Sequence, residues 1–311
     1  TKAQQSPLDI YLMLDQSESM DQNSKWTDIT AAIKSFVQQP LSGVSLGLQF
    51  FGLPASGGGG GGGGGHGGGM NDSCTASDYA TPAVEIAPLP GVASAITTSI
   101  AGHSPSTSTP TSAALQGTVD HCQSWATAHP GHVVIGLIAT DGDPTECDTT
   151  LSDIDAIAAA GVSGTPKVLT FVIGVGSSLG NLDGIAAAGG TTSAFMVSTS
   201  GNISQQFTDA LNKIRGSALG CQYSIPAAEG GTPDYGKVNV VYTPGSGSKE
   251  TIPNVTDAAA CPSSGDAWYY DNNQSPTEIL LCSSTCTTVQ ADSSGEVSVV
   301  VGCATIVSTS K

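Results

Sequence analysis

Two stretches constrain this chain more than any others. Residues 8–14 read Leu-Asp-Ile-Tyr-Leu-Met-Leu and run directly into Asp15. Residues 132–140 read His-Val-Val-Ile-Gly-Leu-Ile-Ala-Thr and run directly into Asp141. A strand with one wet face alternates polar and apolar residues. A nearly continuous apolar run is the pattern of a strand covered on both faces, as in a parallel sheet packed between helices. The segments around these runs agree. Helical spacing over 26–38 places Trp26, Ile29, Ile33, Phe36 and Val37 on one face, and an apolar strand follows at 44–51. A strand is expected at 83–87, a helix at 91–101, and a helix at 110–128 with Pro110 suited to its first turn. The alternation continues with a helix at 151–160, a strand at 167–175, a helix at 179–188 and a strand at 193–198. A helix at 202–217 then carries Ile203, Phe207, Leu211 and Ile214 on one face. Strands alternating with helices over this length predict a doubly wound α/β domain with a mostly parallel sheet, spanning 1–218.

An insertion interrupts the pattern at about 54–80. Within it, residues 57–69 are twelve glycines broken only by His66. Such a run has no side chains to bury and the largest backbone entropy to lose. It also lacks the Lys-Ser/Thr ending of a phosphate loop. After Cys221 the character changes. Short β-like runs at 237–242, 267–270, 278–281 and 296–301 are separated by Pro, Gly, Ser and Asn turns, and no helical periodicity is visible. Residues 219–311 are therefore expected to form a small β-rich module stapled by disulfides.

Charge narrows the function classes. The 311 residues carry 26 Asp and Glu against 9 Lys and Arg, a net charge of −17. Nucleic acid and anionic lipid both call for a basic face, so neither is an expected partner. No apolar run reaches the roughly 18–20 residues that span a bilayer. The chain starts at Thr1 without an export signal, and reads as a mature or trimmed product of an exported protein. Eight cysteines are present: Cys74, Cys122, Cys147, Cys221, Cys261, Cys282, Cys286 and Cys303. Their spacing does not suit zinc, and the even count favours disulfides and an oxidising, extracellular or cell-surface compartment.

In open α/β sheets, ligands bind beyond the carboxyl ends of strands where the strand order reverses. Two strand ends here carry acidic loops, Asp15-Gln16-Ser17-Glu18-Ser19-Met20 and Thr140-Asp141-Gly142-Asp143. Between them, Thr107-Ser108-Thr109-Pro110-Thr111 opens a helix. Oxygens from Asp15, Ser17, Ser19, Thr109 and Asp141 could converge on one hard cation. Mg²⁺ accepts hydroxyls and one or two carboxylates and keeps several waters. These residues carry a resemblance. The chain resembles the von Willebrand factor type A family, whose metal-ion-dependent adhesion site has an Asp-x-Ser-x-Ser loop, a distant Thr and a Thr-Asp-Gly turn in that order. The resemblance covers about 8–218 and implies a Rossmann-like fold holding Mg²⁺ or Ca²⁺, with Mn²⁺ as a further candidate, on the five residues named. Thr111 is the fallback for Thr109. Glu18 stands where many family members have Gly, and Asp143 adds a second carboxylate beside Asp141. Glu18 adds a carboxylate that either faces solvent or raises cation affinity from behind the ligands, and Asp143 is read as standing behind Asp141 or in solvent. Less specifically, the chain resembles bacterial surface proteins in which such a domain precedes a Cys-rich tail.

A Cys74–Cys147 bridge would tether the glycine-rich insertion beside the metal-bearing edge. Three cysteines precede residue 218 and five follow it, so complete pairing requires an odd number of bridges between the two parts. His103, His121, His129 and His132 have no acidic or Cys partner at metal spacing and are assigned to surface or helix-end roles. Ser246 lies outside any nucleophile elbow. Trp268, Tyr269 and Tyr270 read as the core of the small module. Asn71, Asn202, Asn254 and Asn273 fit the glycosylation pattern. The expected function is metal-dependent adhesion to a protein or glycan that presents an acidic group. The alternative is a structural role with self-assembly, in which the ion only stabilises. An enzymatic role ranks last, because no general base accompanies the site.

Overall fold

The computed structural model describes residues 7–41, 43–55, 72–176, 180–218, 221–225, 234–245, 247–276, 278–292 and 296–308. The glycine run 57–69, Asn71 and Ser246 lie outside them. The chain divides into one compact unit, Leu8–Leu211, and a second that takes in Asn212–Lys311.

In the first unit, β1 (Leu8–Asp15) is followed by a 3₁₀ segment, Glu18–Ser24, and α1 (Lys25–Val37). Then come β2 (Val44–Phe51), α2 (Ala76–Tyr79), β3 (Val84–Pro88), α3 (Ala93–Ala101) and α4 (Thr111–Ala128). The series closes with β4 (Val133–Thr140), α5 (Leu151–Ser163), β5 (Leu169–Val175), α6 (Gly180–Ala188), β6 (Phe195–Val197) and α7 (Ile203–Ala218). The boundary between the units falls inside α7. The sheet order is β3-β2-β1-β4-β5-β6. β1 pairs in parallel with β2 from Leu8↔Val44 to Asp15↔Phe51, and with β4 from Leu8↔Val133 to Leu14↔Ala139. Only the edge strand β3 is antiparallel. This is the doubly wound, mostly parallel sheet that the apolar runs predict.

The chain winds outward from β1 to β2 and β3, then returns to place β4 on β1's other side. The strand order thus reverses between β1 and β4, and Asp15 and Asp141 stand at the carboxyl ends flanking that point. All eight residues of β1 are buried. Tyr11 and Met13 share a core with Leu115, Val119 and Cys122 of α4, Ile138 of β4, Ile154 of α5 and Leu182 of α6.

The expected insertion gives way to regular packing from Asp72 onward. Tyr79 of α2 is fully buried, takes a hydrogen bond on its carbonyl from Tyr11 at 2.8 Å and donates its own hydroxyl to Ser73 O at 2.6 Å. Gly117 lets α4 approach this segment: a Cβ there would lie 2.5 Å from Ala76 O and 2.6 Å from Tyr79 Cβ.

In the second unit, β7 (Gln222–Ser224), β8 (Val238–Thr243), β9 (Glu250–Ile252), β10 (Trp268–Tyr270), β11 (Glu278–Leu281), α8 (Ser283–Ala291) and β12 (Glu296–Val301) follow in order. They form two antiparallel sheets, β10-β11-β7 and β12-β8-β9. Trp268 is fully buried, donates Nε1–H to Ile252 O at 2.9 Å and packs edge-on to Tyr270. Trp268 and Tyr270 are core, as the sequence suggests, while Tyr269 between them is half-buried. The β-rich module also contains a helix, α8, where the sequence shows no helical periodicity. Its sequence Ser-Ser-Thr-Cys-Thr-Thr-Val-Gln-Ala has no apolar period, so tertiary links hold it. Cys282 before it bridges to Cys261, Cys286 within it bridges to Cys221, and buried Thr285 accepts from Ala267 N at 2.8 Å.

The third disulfide joins Cys74 to Cys147. Two of the eight candidate cysteines stay unpaired, so the condition of complete pairing is not met. Cys122 and Cys303 are free. Cys122 is buried in the core shared by α4 and the sheet, where burial raises its pKa; Cys303 is exposed.

Gly117→Ala forces backbone apart at α2 and should cost about 2 kcal/mol, read as a lowered urea midpoint at unchanged slope. An unchanged midpoint would contradict the close approach. The unreduced native chain should show one reactive thiol with Ellman's reagent and two after unfolding.

Candidate metal centre

Three segments converge at the switch point, and Asp15 organises two of them. Its carboxylate is fully buried. Oδ1 accepts from Ser17 N at 2.7 Å, which turns the loop after β1, and Oδ2 accepts from Thr140 Oγ1 at 2.6 Å, which ties the loop to the end of β4. The turn brings the two serine hydroxyls together, Ser17 Oγ and Ser19 Oγ being 3.1 Å apart. Ser19 Oγ in turn donates to Asp141 Oδ1 at 2.6 Å.

The third segment is the loop before α4. Ser106 N donates to Gln16 O and Glu18 N to Thr107 O, both at 3.0 Å, stitching this loop to the one after β1. Gly52, with φ at +89°, makes room for the crossing, since a Cβ there would sit 1.9 Å from Thr107 Oγ1. Thr109 is buried and locked to the loop after β4. Its N–H donates to Thr145 Oγ1 at 2.9 Å, and its carbonyl accepts from Thr145 N at 3.1 Å. Thr109 Oγ1 and Ser19 Oγ lie 4.0 and 3.8 Å from the point where a Cβ on Gly142 would stand. The structure therefore gathers Asp15, Ser17, Ser19, Thr109 and Asp141 at one place. Thr111 is also buried there, and its hydroxyl has no hydrogen-bond partner. Glu18 and Asp143 are exposed.

The donor set suits a hard, oxygen-seeking cation. Ligands at the 2.0–2.1 Å of Mg²⁺ in an octahedron stand about 2.9 Å apart along each edge. Ser17 Oγ, Ser19 Oγ and Asp141 Oδ1 form a chain with steps of 3.1 and 2.6 Å, close to that edge. Among the described residues no group of three or more His, Cys, Asp or Glu side chains gathers to hold a metal. The site is made of hydroxyls and two carboxylates, which favours Mg²⁺-like chemistry over thiolate or imidazole coordination.

One participant is absent from the reading of the sequence. Lys25, the first residue of α1, is buried, and its ammonium donates to Asp141 Oδ2 at 2.5 Å and to Ser19 O at 3.3 Å. The signal for it is a scarce lysine at the start of a helix, where the helix dipole disfavours a cation.

The histidines acquire partners that their spacing in sequence does not reveal. His103 stacks on Phe50 with centroids 3.7 Å apart, and its Nδ1 lies 2.7 Å from Gln16 Oε1. His121 is buried and faces Glu85 at 3.1 Å. His132 Nδ1 lies 2.7 Å from Asp9 Oδ2, which also accepts from Trp125 Nε1 at 2.7 Å.

Burial pushes the Asp15 carboxyl up to about 6 from an ordinary 3.8. Hydrogen bonds from Thr140 and Ser17 pull it back only in part, and the neighbouring Asp141 adds to the rise.

No family model and no curated protein matches the chain. Solved structures with which it shares a likeness include proximal thread matrix protein 1 from the mussel byssus, in a second crystal form. That comparison has a TM-score of 0.42 at 16% identity over 72% of this chain and 51% of that one. Another structure of the mussel protein, described as having a zinc-occupied MIDAS motif, gives a TM-score of 0.42 at 12% identity over 99% of this chain and 72% of that one. Manganese-loaded TRAP protein from Plasmodium vivax gives 0.36 at 14% identity, over 55% and 58%. The chain spans about half the length of the first of these.

The raised Asp15 pKa sets a pH dependence for the protein in chelator. Below pH 3.8 the group is protonated in both folded and unfolded chains and contributes nothing. Between 3.8 and about 6 the folded chain keeps a proton that the unfolded chain has released, so stability falls as pH rises through that window. The total is about 3 kcal/mol. Asp15→Asn should remove this slope in urea unfolding measured from pH 4 to 7, and an unchanged slope would refute the assignment.

Proposed function

We propose that the Leu8–Leu211 unit is a von Willebrand factor type A-like domain. In this reading a divalent cation, Mg²⁺ or Ca²⁺ with Mn²⁺ as a substitute, is held by Asp15, Ser17, Ser19, Thr109 and Asp141. The domain uses it to grip an acidic group on a protein or glycan outside the cell. The observation that carries the reading is the hydrogen-bonded run of Ser17 Oγ, Ser19 Oγ and Asp141 Oδ1 beside the buried Asp15, at the strand-order reversal.

A cation there supplies a Lewis-acidic position for a partner's carboxylate. The chain's own residues do the rest. Asp15 fixes the serine loop, Thr140 fixes Asp15, and Thr145 fixes the backbone of Thr109. This arrangement holds a ligand and is assigned no catalysis. The three disulfides favour an oxidising, extracellular setting. No described helix is long and apolar enough to cross a membrane.

A second reading, assembly through the small module, draws on Val300, Ile306 and Val307, large apolar side chains left exposed in the Asn212–Lys311 unit. Concentration-dependent association in sedimentation, persisting in chelator, would favour it.

Calorimetry with Mg²⁺, Ca²⁺ and Mn²⁺ tests the first reading. Wild type should take up one cation per chain, and Asp15→Ala and Asp141→Ala should lose at least the roughly tenfold to hundredfold that removing a ligand's supporting partner costs. Adhesion to cells or extracellular polymer should vanish in chelator and return with Mn²⁺. Variants that bind as wild type does, or adhesion that survives chelation, would sink it.

A further inference from the structure

We infer that Lys25 sets the charge of the cation site, trading cation affinity for the ability to hold an acidic ligand. The inference rests on the proposed reading of the site as a cation site.

The geometry divides Asp141 between two partners. Oδ1 accepts from Ser19 Oγ within the donor run, while Oδ2 is taken by the Lys25 ammonium, which also donates to Ser19 O. The pair is enclosed: the Lys25 side chain is 9% exposed and that of Asp141 not at all. An exposed ion pair would contribute little, but this one is shielded from water and its charge is felt by everything in the site.

The chain goes out of its way to put the ammonium there. Asn23 and Ser24 both adopt positive φ, 55° and 59°, immediately before Lys25. Such backbone is easily borne by Asn but uncommon for Ser, and a lysine at the first helical position opposes the dipole of α1. Ser24, at the cap position, makes no side-chain capping bond in return. The contact with Asp141 is what these local costs are set against.

Asp15 and Asp141 ionised, with Lys25 beside them, leave one net negative charge. A divalent cation makes the loaded site positive by one, and a partner's carboxylate brings it to neutral. A site without the ammonium would be neutral once loaded, and a carboxylate would leave it with a buried excess of negative charge. Lys25 therefore repels the cation and attracts the anion that follows it. A residue with a merely structural role would move both affinities down together when replaced. Lys25 should move them in opposite directions.

The experiment uses Mn²⁺ as the cation and acetate as the carboxylate. Free Mn²⁺ is followed by its electron paramagnetic resonance signal, and acetate by the ¹³C relaxation that protein-bound Mn²⁺ induces. Lys25→Met should bind Mn²⁺ about tenfold more tightly than wild type, and its loaded form should hold acetate about tenfold more weakly. Lys25→Gln keeps a hydrogen-bond donor without the charge and should show the same two shifts. Lys25→Arg keeps the charge and should stay within about threefold of wild type on both. Neutral variants that bind Mn²⁺ no more tightly, or that hold acetate as well as wild type does, overturn the role of Lys25. Wild type that takes up no Mn²⁺ overturns the site itself, a result visible without any variant.

Discussion

The buried carboxylate of Asp15 is the contact on which the rest of the site depends. Taking an ionised carboxylate out of water is costly unless hydrogen bonds or a counter-charge replace its hydration. Here both oxygens are used, one on the backbone of Ser17 and one on the hydroxyl of Thr140. Each bond has a structural product. The first bends the chain so that Ser17 and Ser19 face the same way, and the second fastens that bend to the next strand of the sheet. Yet the two bonds do not bring its pKa back to the ordinary value. The site carries an electrostatic demand that a cation would meet.

That demand sits where the fold can serve it. β1 lies between β2 and β4, and the strand order reverses between β1 and β4, the position beyond whose carboxyl ends open α/β sheets bind ligands. The loops leaving those strands lead toward α1 on one side and past Thr145 on the other, while the loop before α4 crosses both. Hydrogen bonds from Ser106 to Gln16, Glu18 to Thr107 and Thr145 to Thr109 join the three loops through backbone. Side chains placed far apart in sequence are thus held by contacts that do not depend on the ligand. α1 begins there with Lys25 against Asp141, so the sheet, the loop and the first helix share one ion pair.

Much of this could be read from the sequence, because the signals are local. The apolar runs of β1 and β4 report burial on both faces. The five candidate ligands come from the order of the Asp-x-Ser-x-Ser loop, the Thr and the Thr-Asp-Gly turn, which is a resemblance; the turn that brings Ser17 and Ser19 together is visible only in the structure. What escaped is what only tertiary structure creates. Lys25 reaches Asp141 through two left-handed residues, Asn23 and Ser24, which no composition rule marks as a bridge across the sheet. The helix α8 has no apolar period and is held by two disulfides and Thr285. Asp9 faces His132 and Glu85 faces His121 from strands distant in sequence. The even cysteine count suggested full pairing, but Cys122 is used as a small apolar side chain under the sheet, and parity cannot see that.

The most direct test of the central claim is an anomalous difference map from crystals grown with Mn²⁺. The account predicts a single strong peak within bonding distance of Ser17 Oγ and Ser19 Oγ, with Thr109 and the two carboxylates around it and Lys25 still on Asp141. A map with no peak at the ends of β1 and β4, from crystals in which Mn²⁺ is bound elsewhere or not at all, would contradict it.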